Sequence, residues 1–260
     1  MKLTPDSADA GDQLLVFDQL DSTMEEARRQ FKEGIARRTW IVARQQTSGR
    51  GRQGRGWQSP DGNLHLTLLL PAPCSIRHQP RLGFVAGVAL WTAVKALLPP
   101  GVHIALKWPN DLLVAGAKTA GLLVEGLGNG SAVAIGIGIN IVAHPDDTPY
   151  PADHLQSFAA SATAEDVFQA LSRALTSELD CFADGSGFPI IRQRWLAAAA
   201  HLNQRVHVHS ANSVLQGIFK DIDGDGRLLL ETETGIARID AGDVFPLDKS
   251  VLQAHEQRKD

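Results

Sequence analysis

Residues 49–57 read Gly-Arg-Gly-Arg-Gln-Gly-Arg-Gly-Trp. Glycines at 49, 51, 54 and 56 let the backbone approach a ligand closely and adopt positive φ. Arg50, Arg52 and Arg55 carry guanidinium groups that match a phosphate or carboxylate in bidentate fashion. Trp57 offers a flat face to a base. No acidic residue falls between Arg37 and Pro60, so these cations lack a partner nearby in sequence. This composition suits a mobile anion-binding loop that closes on a nucleotide. Gly49, Gly51 and Gly54 formally satisfy the dinucleotide fingerprint, but that motif needs a helix to open at its last glycine. Here Ser59, Pro60 and Gly62 lead into a strand instead. No Gly-Lys-Ser/Thr ending makes the segment a P-loop. Taken alone, it leaves open a plain flexible basic loop and a single-stranded RNA contact.

A second group follows. Lys107-Trp-Pro-Asn-Asp111 ends an apolar run, and proline cannot continue a central strand. Lys107, Asn110 and Asp111 therefore stand at a strand end, where sheet-based enzymes place site residues. Asp111 could hold a hydrated Mg²⁺, and Asn110 could bond phosphate oxygens. Alone, the segment also reads as an Asn-Asp turn with a solvated lysine. Lys118 follows a Gly-Ala turn, a place usual for a snorkelling surface lysine. Gly136 and Gly138 interrupt the run Ala134–Ile141, as glycine does where a ligand comes close. Asn140 follows at that strand's end.

The elements that must hold these groups can be read from periodicity. Leu14–Phe17 predicts a first strand. Ser22 and Thr23 stand three residues before Glu25 and Glu26, two overlapping capping boxes that open a helix to Lys32 with Gly34 as its stop. Trp40–Ala43 and Asn63–Leu70 predict strands on either side of the glycine–arginine loop. Phe84–Leu98 predicts a helix, with Phe84 and Trp91 as core. Val102–Lys107, Gly121–Glu125 and Ala132–Val142 predict strands, and Ala164–Phe182 and Phe188–His201 predict helices. The texture changes near Leu202. Arg205–His209, Val214–Ile218, Arg227–Thr232 and Ile236–Ile239 are short strand-like runs joined by polar turns, the spacing of a small barrel. The expected organisation is a loose tail over 1–12, a catalytic domain over 13–201, a small domain over 202–248 and a charged tail over 249–260.

Composition excludes several classes. The chain has 260 residues, enough to bury a real core. Net charge is −4, from 25 basic and 29 acidic residues, which argues against a general nucleic-acid coat or a polybasic membrane binder. Two cysteines cannot build a disulfide framework and fit a reducing compartment. The polar start is unlike a signal peptide, and the uncharged run Phe84–Val94 is too short to span a bilayer. Asp221, Asp223, Asp225 and Gly226 imitate the opening of an EF-hand, but Thr232 stands at its twelfth position and strands flank it. A polar β-turn is the expectation. His207 and His209 share a strand face without a third ligand in sight.

Taken together, Gln45–Trp57, Lys107–Leu113, Ala117–Glu125 and Gly136–Ile141, with Asp21-Ser22-Thr23 upstream, resemble the biotin protein ligases. The resemblance spans about Leu14–Leu247. It implies an α+β catalytic domain with a mixed sheet and helices, followed by a small SH3-like β-barrel. It implies activation of biotin by ATP with Mg²⁺, then transfer to a lysine of a carboxylase's biotin carboxyl carrier domain. The setting implied is cytoplasmic, without DNA or membrane, with monomer and homodimer both open. No helix-turn-helix-sized segment precedes Leu14, which points to the monofunctional class. Carried over by motif, Ser22, Thr23, Met24, Gln46, Arg50, Gly51, Arg52, Lys118, Gly121 and Gly138 match biotin-contacting positions, with Gly136 on the same wall. Arg52, Arg55, Trp57, Lys107, Asn110, Lys118 and Asn140 match the nucleotide side, and Asp111 the magnesium. Lys118 and Arg52 match the catalytic pair. Met24 departs from the asparagine common after Ser-Thr, and Gln53 from a further loop cation. A lipoate or octanoate ligase or transferase is the sister activity. A non-catalytic biotin-binding homologue is a further reading, against which the intact Arg52, Lys118, Asn110 and Asp111 argue.

Overall fold

The first twelve residues are not a loose tail. In the computed structural model, which describes residues 1–159, 161–210 and 213–247, Pro5–Asp9 forms a short helix, α1. Thr4 and Ser7 are buried, and the Met1 ammonium pairs with Glu165 at 3.0 Å. Asp12 accepts hydrogen bonds from Trp40 Nε1 at 2.7 Å and Arg38 Nε at 2.5 Å. Polar contacts that a hydropathy pattern does not register tie this segment down. The expected charged tail over 249–260 lies outside the described residues.

Strand β1 (Gln13–Leu20) leads into α2 (Thr23–Lys32) and then β2 (Thr39–Gln46). Ser22 caps α2, its Oγ accepting from Met24 N–H at 3.2 Å. Neither expected capping box closes. Ser22 N–H goes to Asp21, Glu25 pairs with Arg50, and Glu26 pairs with Arg29. Gly34 follows the helix at φ +84°, as its stop. Next come β3 (Leu64–Pro71), α3 (Leu82–Leu97), β4 (Ile104–Lys107), β5 (Asp111–Val114), β6 (Ala117–Leu127) and β7 (Ala132–Ile139). Strand β5 was not expected: β4 ends at Lys107, as the proline implies, but Trp108–Asn110 is a hairpin turn that returns the chain as β5. Helices α4 (Ala164–Phe182) and α5 (Phe188–Ala197) close the first unit.

These seven strands form one mixed sheet in the order β1-β2-β3-β7-β6-β5-β4, with only β1 and β2 parallel. Both faces are covered at its centre. Trp40, Leu68, Val133 and Ile135 face α3 and α4, whereas Ile41, Leu69, Ala132 and Ala134 face α2. Alternation along each strand puts neighbours on opposite faces, so β3 is apolar at nearly every position. Ten of the 16 residues of α3 are buried, which accounts for its membrane-like composition. Phe84 packs edge-on to Phe188 at 5.7 Å and Trp195 at 5.5 Å. Trp91 is only half-buried: it carries Lys95 over its ring at 4.4 Å.

The second sheet holds β8 (Arg205–His209), β9 (Val214–Ile222), β10 (Leu228–Thr232), β11 (Gly235–Ile239) and β12 (Asp243–Pro246). It is antiparallel in the order β11-β10-β9-β8-β12, and β12 is an addition to the expected strands. The two sheets share one core, and Trp108 Nε1 donates to Gly226 O across the junction at 3.2 Å. The acidic β9–β10 turn is used internally. Asp223 accepts from the N–H groups of Asp225 and Arg227, and Asp225 pairs with Arg81 and Arg227.

Candidate active site

On β7 the column Ala132, Ala134, Gly136, Gly138 lies on the α2 face. Side chains shrink to nothing toward the end of that column, and a pocket opens there beside the start of α2. Register brings Gly121 of β6 opposite Gly138. The pocket is lined by Ser22, Thr23, Met24 and Gln46 on one side, and by Asn110, Asp111 and Lys118 on the other. Residues Arg50–Arg52 and Arg55–Trp57 of the glycine–arginine loop lie over it.

Each side chain has a reason to be where it is. Gln46 Oε1 accepts from both Thr23 N–H, at 2.8 Å, and Thr23 Oγ1, at 3.2 Å, and its amide donates to Ser59 Oγ at 2.9 Å. Strand β2, helix α2 and the far end of the loop are thereby locked together. Met24 is buried, and its sulfur fills the space above Gly136. The loop makes a tight turn over Arg52–Gly54, with Gln53 at φ +55° and Gly54 at φ +73°. Trp57 then folds into the pocket against Gly138 and Gly121. A Cβ on Gly138 would come within 2.4 Å of the Trp57 ring. The indole N–H is buried without a partner, so a ligand with an acceptor group there would satisfy it.

The loop arginines are not free cations. Arg50 pairs with Glu25 at 2.5 Å, and Arg55 pairs with Asp243 at 3.1 Å. Arg52 donates to Asn110 Oδ1 at 3.0 Å and lies 3.5 Å from Asp243. Their partners are simply distant in sequence. Burial pushes the Arg52 guanidinium below the usual arginine range, with Asp243 opposing. It stays charged at neutral pH.

Lys118 is fixed through its backbone: its N–H donates to Pro151 O at 2.8 Å, and its carbonyl accepts from Asp153 N–H at 3.1 Å. Its ammonium stands 2.8 Å from Asp111 Oδ1, 5.2 Å from the Tyr150 ring and 5.8 Å from the Trp57 ring. The Asp111 contact is ionic: that buried oxygen accepts no well-directed hydrogen bond. Four cationic side chains and two carboxylates line the pocket, an excess of positive charge suited to anionic ligands.

Two expected residues stand elsewhere. Lys107 lies over the Phe245 ring at 4.8 Å, outside the pocket lining. Burial pushes its ammonium below the usual lysine range, with Asp111 opposing most and Lys118 adding to the effect. Asn140 is buried and donates to Asp153 O at 3.1 Å, joining the end of β7 to the segment behind Lys118. Tyr150 and Asp243 line the pocket without having been anticipated. Neither had a signal in the sequence: Asp243 opens a strand of only four residues, and Tyr150 is the one tyrosine of the chain.

Comparison with known proteins bears directly on this pocket. Residues 16–141 match the biotin/lipoate A/B protein ligase family, and residues 201–245 match the biotin protein ligase C-terminal domain. A biotin–[acetyl-CoA-carboxylase] ligase of Paracoccus denitrificans is 36% identical over 86% of this chain and 97% of its own length. The chain belongs to the biotin protein ligase family. Among solved structures, the Aquifex aeolicus biotin protein ligase in complex with biotin and ATP superposes with a TM-score of 0.77 at 25% identity, over 90% of this chain and 97% of that one. The Leishmania major enzyme in complex with biotinyl-5-AMP gives 0.62 at 25% identity, over 88% and 99%. The mixed sheet and the SH3-like C-terminal sheet are thus the family's two units.

For a member of this family, the pocket's chemistry is readable. Nothing in it resembles a nucleophile–base pair. Cations and a closing aromatic suit binding and charge stabilisation, not covalent catalysis by the protein.

Proposed function

We propose that this chain activates biotin with ATP to biotinyl-5′-AMP and transfers biotin to a lysine of a biotin carboxyl carrier domain. The observation that carries this reading is the convergence of Arg50, Arg52, Arg55 and Lys118 on one glycine-floored pocket. A biotin carboxylate oxygen attacks the α-phosphorus of ATP and pyrophosphate leaves. The carrier lysine's amine then attacks the acyl carbon and AMP leaves with the bonding pair. Both substrates are anions, so their approach needs screening. Lys118 and Arg52 are the groups we assign to the carboxylate and the α-phosphate, where negative charge grows. Losing one such preorganised contact costs about 10²–10³ in rate.

The carboxylate of Asp111 fits a hydrated Mg²⁺, because its buried Oδ1 has only the Lys118 ammonium as company. Asn110 Oδ1, now held by Arg52, is the second oxygen at hand. When bound, the ion would neutralise phosphate charge. Loop residues Arg50–Trp57 exclude water from the mixed anhydride. Cytoplasm is the setting we infer, in keeping with the free thiols of Cys74 and Cys181. The nucleophile belongs to the carrier, and neither DNA nor a membrane takes part.

The deciding experiment is acid-dependent ATP–pyrophosphate exchange, with biotin, lipoate and octanoate in separate tubes with magnesium. Exchange with biotin alone is expected. Exchange with lipoate or octanoate alone, or none with any acid from folded protein, overturns the reading.

A further inference from the structure

Behind the pocket, residues 140–154 leave β7 and return along Lys118. Their two ends are joined by a cluster that the ligase chemistry does not use. His144 Nδ1 and His154 Nδ1 stand 2.8 Å apart, and Asp153 Oδ1 lies 3.8 Å from the first and 3.5 Å from the second. The ring centroids are 5.1 Å apart. That exceeds the nitrogen separation by about the full sum of the two ring radii, so the two nitrogens lie between the rings and face each other. Asp153 is held beside them by His154 N–H at 2.7 Å and Ser157 Oγ at 2.6 Å. About a quarter of each of the three side chains is exposed, so a dissolved ion can reach them while the carboxylate stays oriented.

We propose that His144, Asp153 and His154 form a binding site for a zinc-class divalent transition metal that clasps the 144–154 segment beside the pocket. Two imidazoles and one carboxylate, with a position left for water, are a donor set that zinc accepts and magnesium does not favour. Zinc–nitrogen bonds of about 2.0–2.1 Å at a tetrahedral angle need the nitrogens roughly 3.4 Å apart, so the two part-exposed rings must turn apart to admit the ion. Without metal the same pair makes one N–H···N hydrogen bond, so proton and metal compete. Closing the segment constrains Tyr150, whose ring faces the Lys118 ammonium. The site stands on its own geometry and does not depend on the biotin reading.

The test is calorimetric titration of the chelator-treated full chain with zinc chloride, and in parallel with magnesium chloride. We expect one zinc per chain at this cluster, with affinity falling at least about 10–100-fold in His144→Ala and in His154→Ala. His207→Ala, in the other histidine pair, should leave it unchanged. Cobalt substitution should give visible absorption bands that both variants lose, a readout independent of ligase activity. Circular dichroism melts keep a folding defect distinct from a lost ligand. Zinc affinity unchanged in both variants, or matched by magnesium, or lost only in His207→Ala, overturns the proposal.

Discussion

Arg52 Nη1 lies 3.5 Å from Asp243 Oδ1, joining a loop of the catalytic sheet to strand β12 across 191 positions of chain. Arg55 reaches the same carboxylate at 3.1 Å. Asp243 is thus part of the pocket wall, and the C-terminal sheet helps to hold the loop that covers the pocket. Asn110 completes the link, accepting from Arg52 while its amide donates to Leu122 O at 2.8 Å. A single guanidinium nitrogen, Nη1, thus meets both units of the fold.

From this follows a prediction for Asp243→Ala. Ion pairs that remain partly exposed contribute about 0–1 kcal/mol, so global stability should barely move. Loop closure should suffer instead. Trypsin should cut at Arg50, Arg52 or Arg55 several-fold faster in the unliganded variant, and biotin plus ATP should restore protection. Cutting rates equal to the parent chain, with and without ligands, would mean that Asp243 does not restrain the loop.

Lys118 and Lys107 offer an internal comparison. Lys118 lines the pocket, whereas Lys107 stacks on Phe245. Lys118→Ala should lower biotin-dependent ATP–pyrophosphate exchange about 10²–10³-fold. Lys107→Ala should cost clearly less. Equal losses would move the phosphate contact to Lys107.

Much of this was legible in the sequence. Glycine, arginine and tryptophan in one short segment mark a ligand loop whatever the fold. Helix α4 opens at Thr163 with a complete capping box and is readable to the residue. What escaped depends on contacts distant along the chain. Arg52 looked unpartnered because Asp243 and Asn110 are brought to it only by the sheet order. Strands β5 and β12 are four residues each, too short for alternation to stand out. The N-terminal segment is held by Thr4, Ser7 and Asp12, polar residues whose burial no hydropathy pattern shows. Asn140 sits where a ligand contact was expected because its motif is near the pocket, yet its amide is spent on Asp153 O.

Gly136 and Gly138 test the pocket floor separately. A Cβ at Gly138 meets the rigid indole of Trp57 at 2.4 Å, whereas one at Gly136 meets the Met24 sulfur at 2.8 Å. Thioether side chains adapt and a ring does not. Gly138→Ala should expel Trp57 and weaken biotin binding by at least about tenfold, while Gly136→Ala should cost less in the same isothermal titration. The reverse order would show that Trp57, not Met24, is the movable wall.

His65 gives the chain a pH dependence that can be signed. It is buried beneath the loop, in register with Gly138, with Nε2 against Pro60 O at 3.3 Å. Burial pushes its imidazole below the usual histidine value, with the Pro60 carbonyl opposing, so the folded state disfavours the charged ring. Its share of stability is therefore fully present above the unfolded value of about 6.5 and is lost as pH falls below it. His201 acts in the same direction, again through burial. Asp21, held at about 2 chiefly by the Arg29 hydrogen bond, adds a separate loss at far lower pH. Urea midpoints measured at pH 7.5 and 5.5 should therefore drop for the parent chain. His65→Gln keeps a donor for Pro60 O but cannot charge, so its drop should be smaller. An equal drop would place the acid-sensitive group elsewhere, with His201→Gln as the next variant to measure.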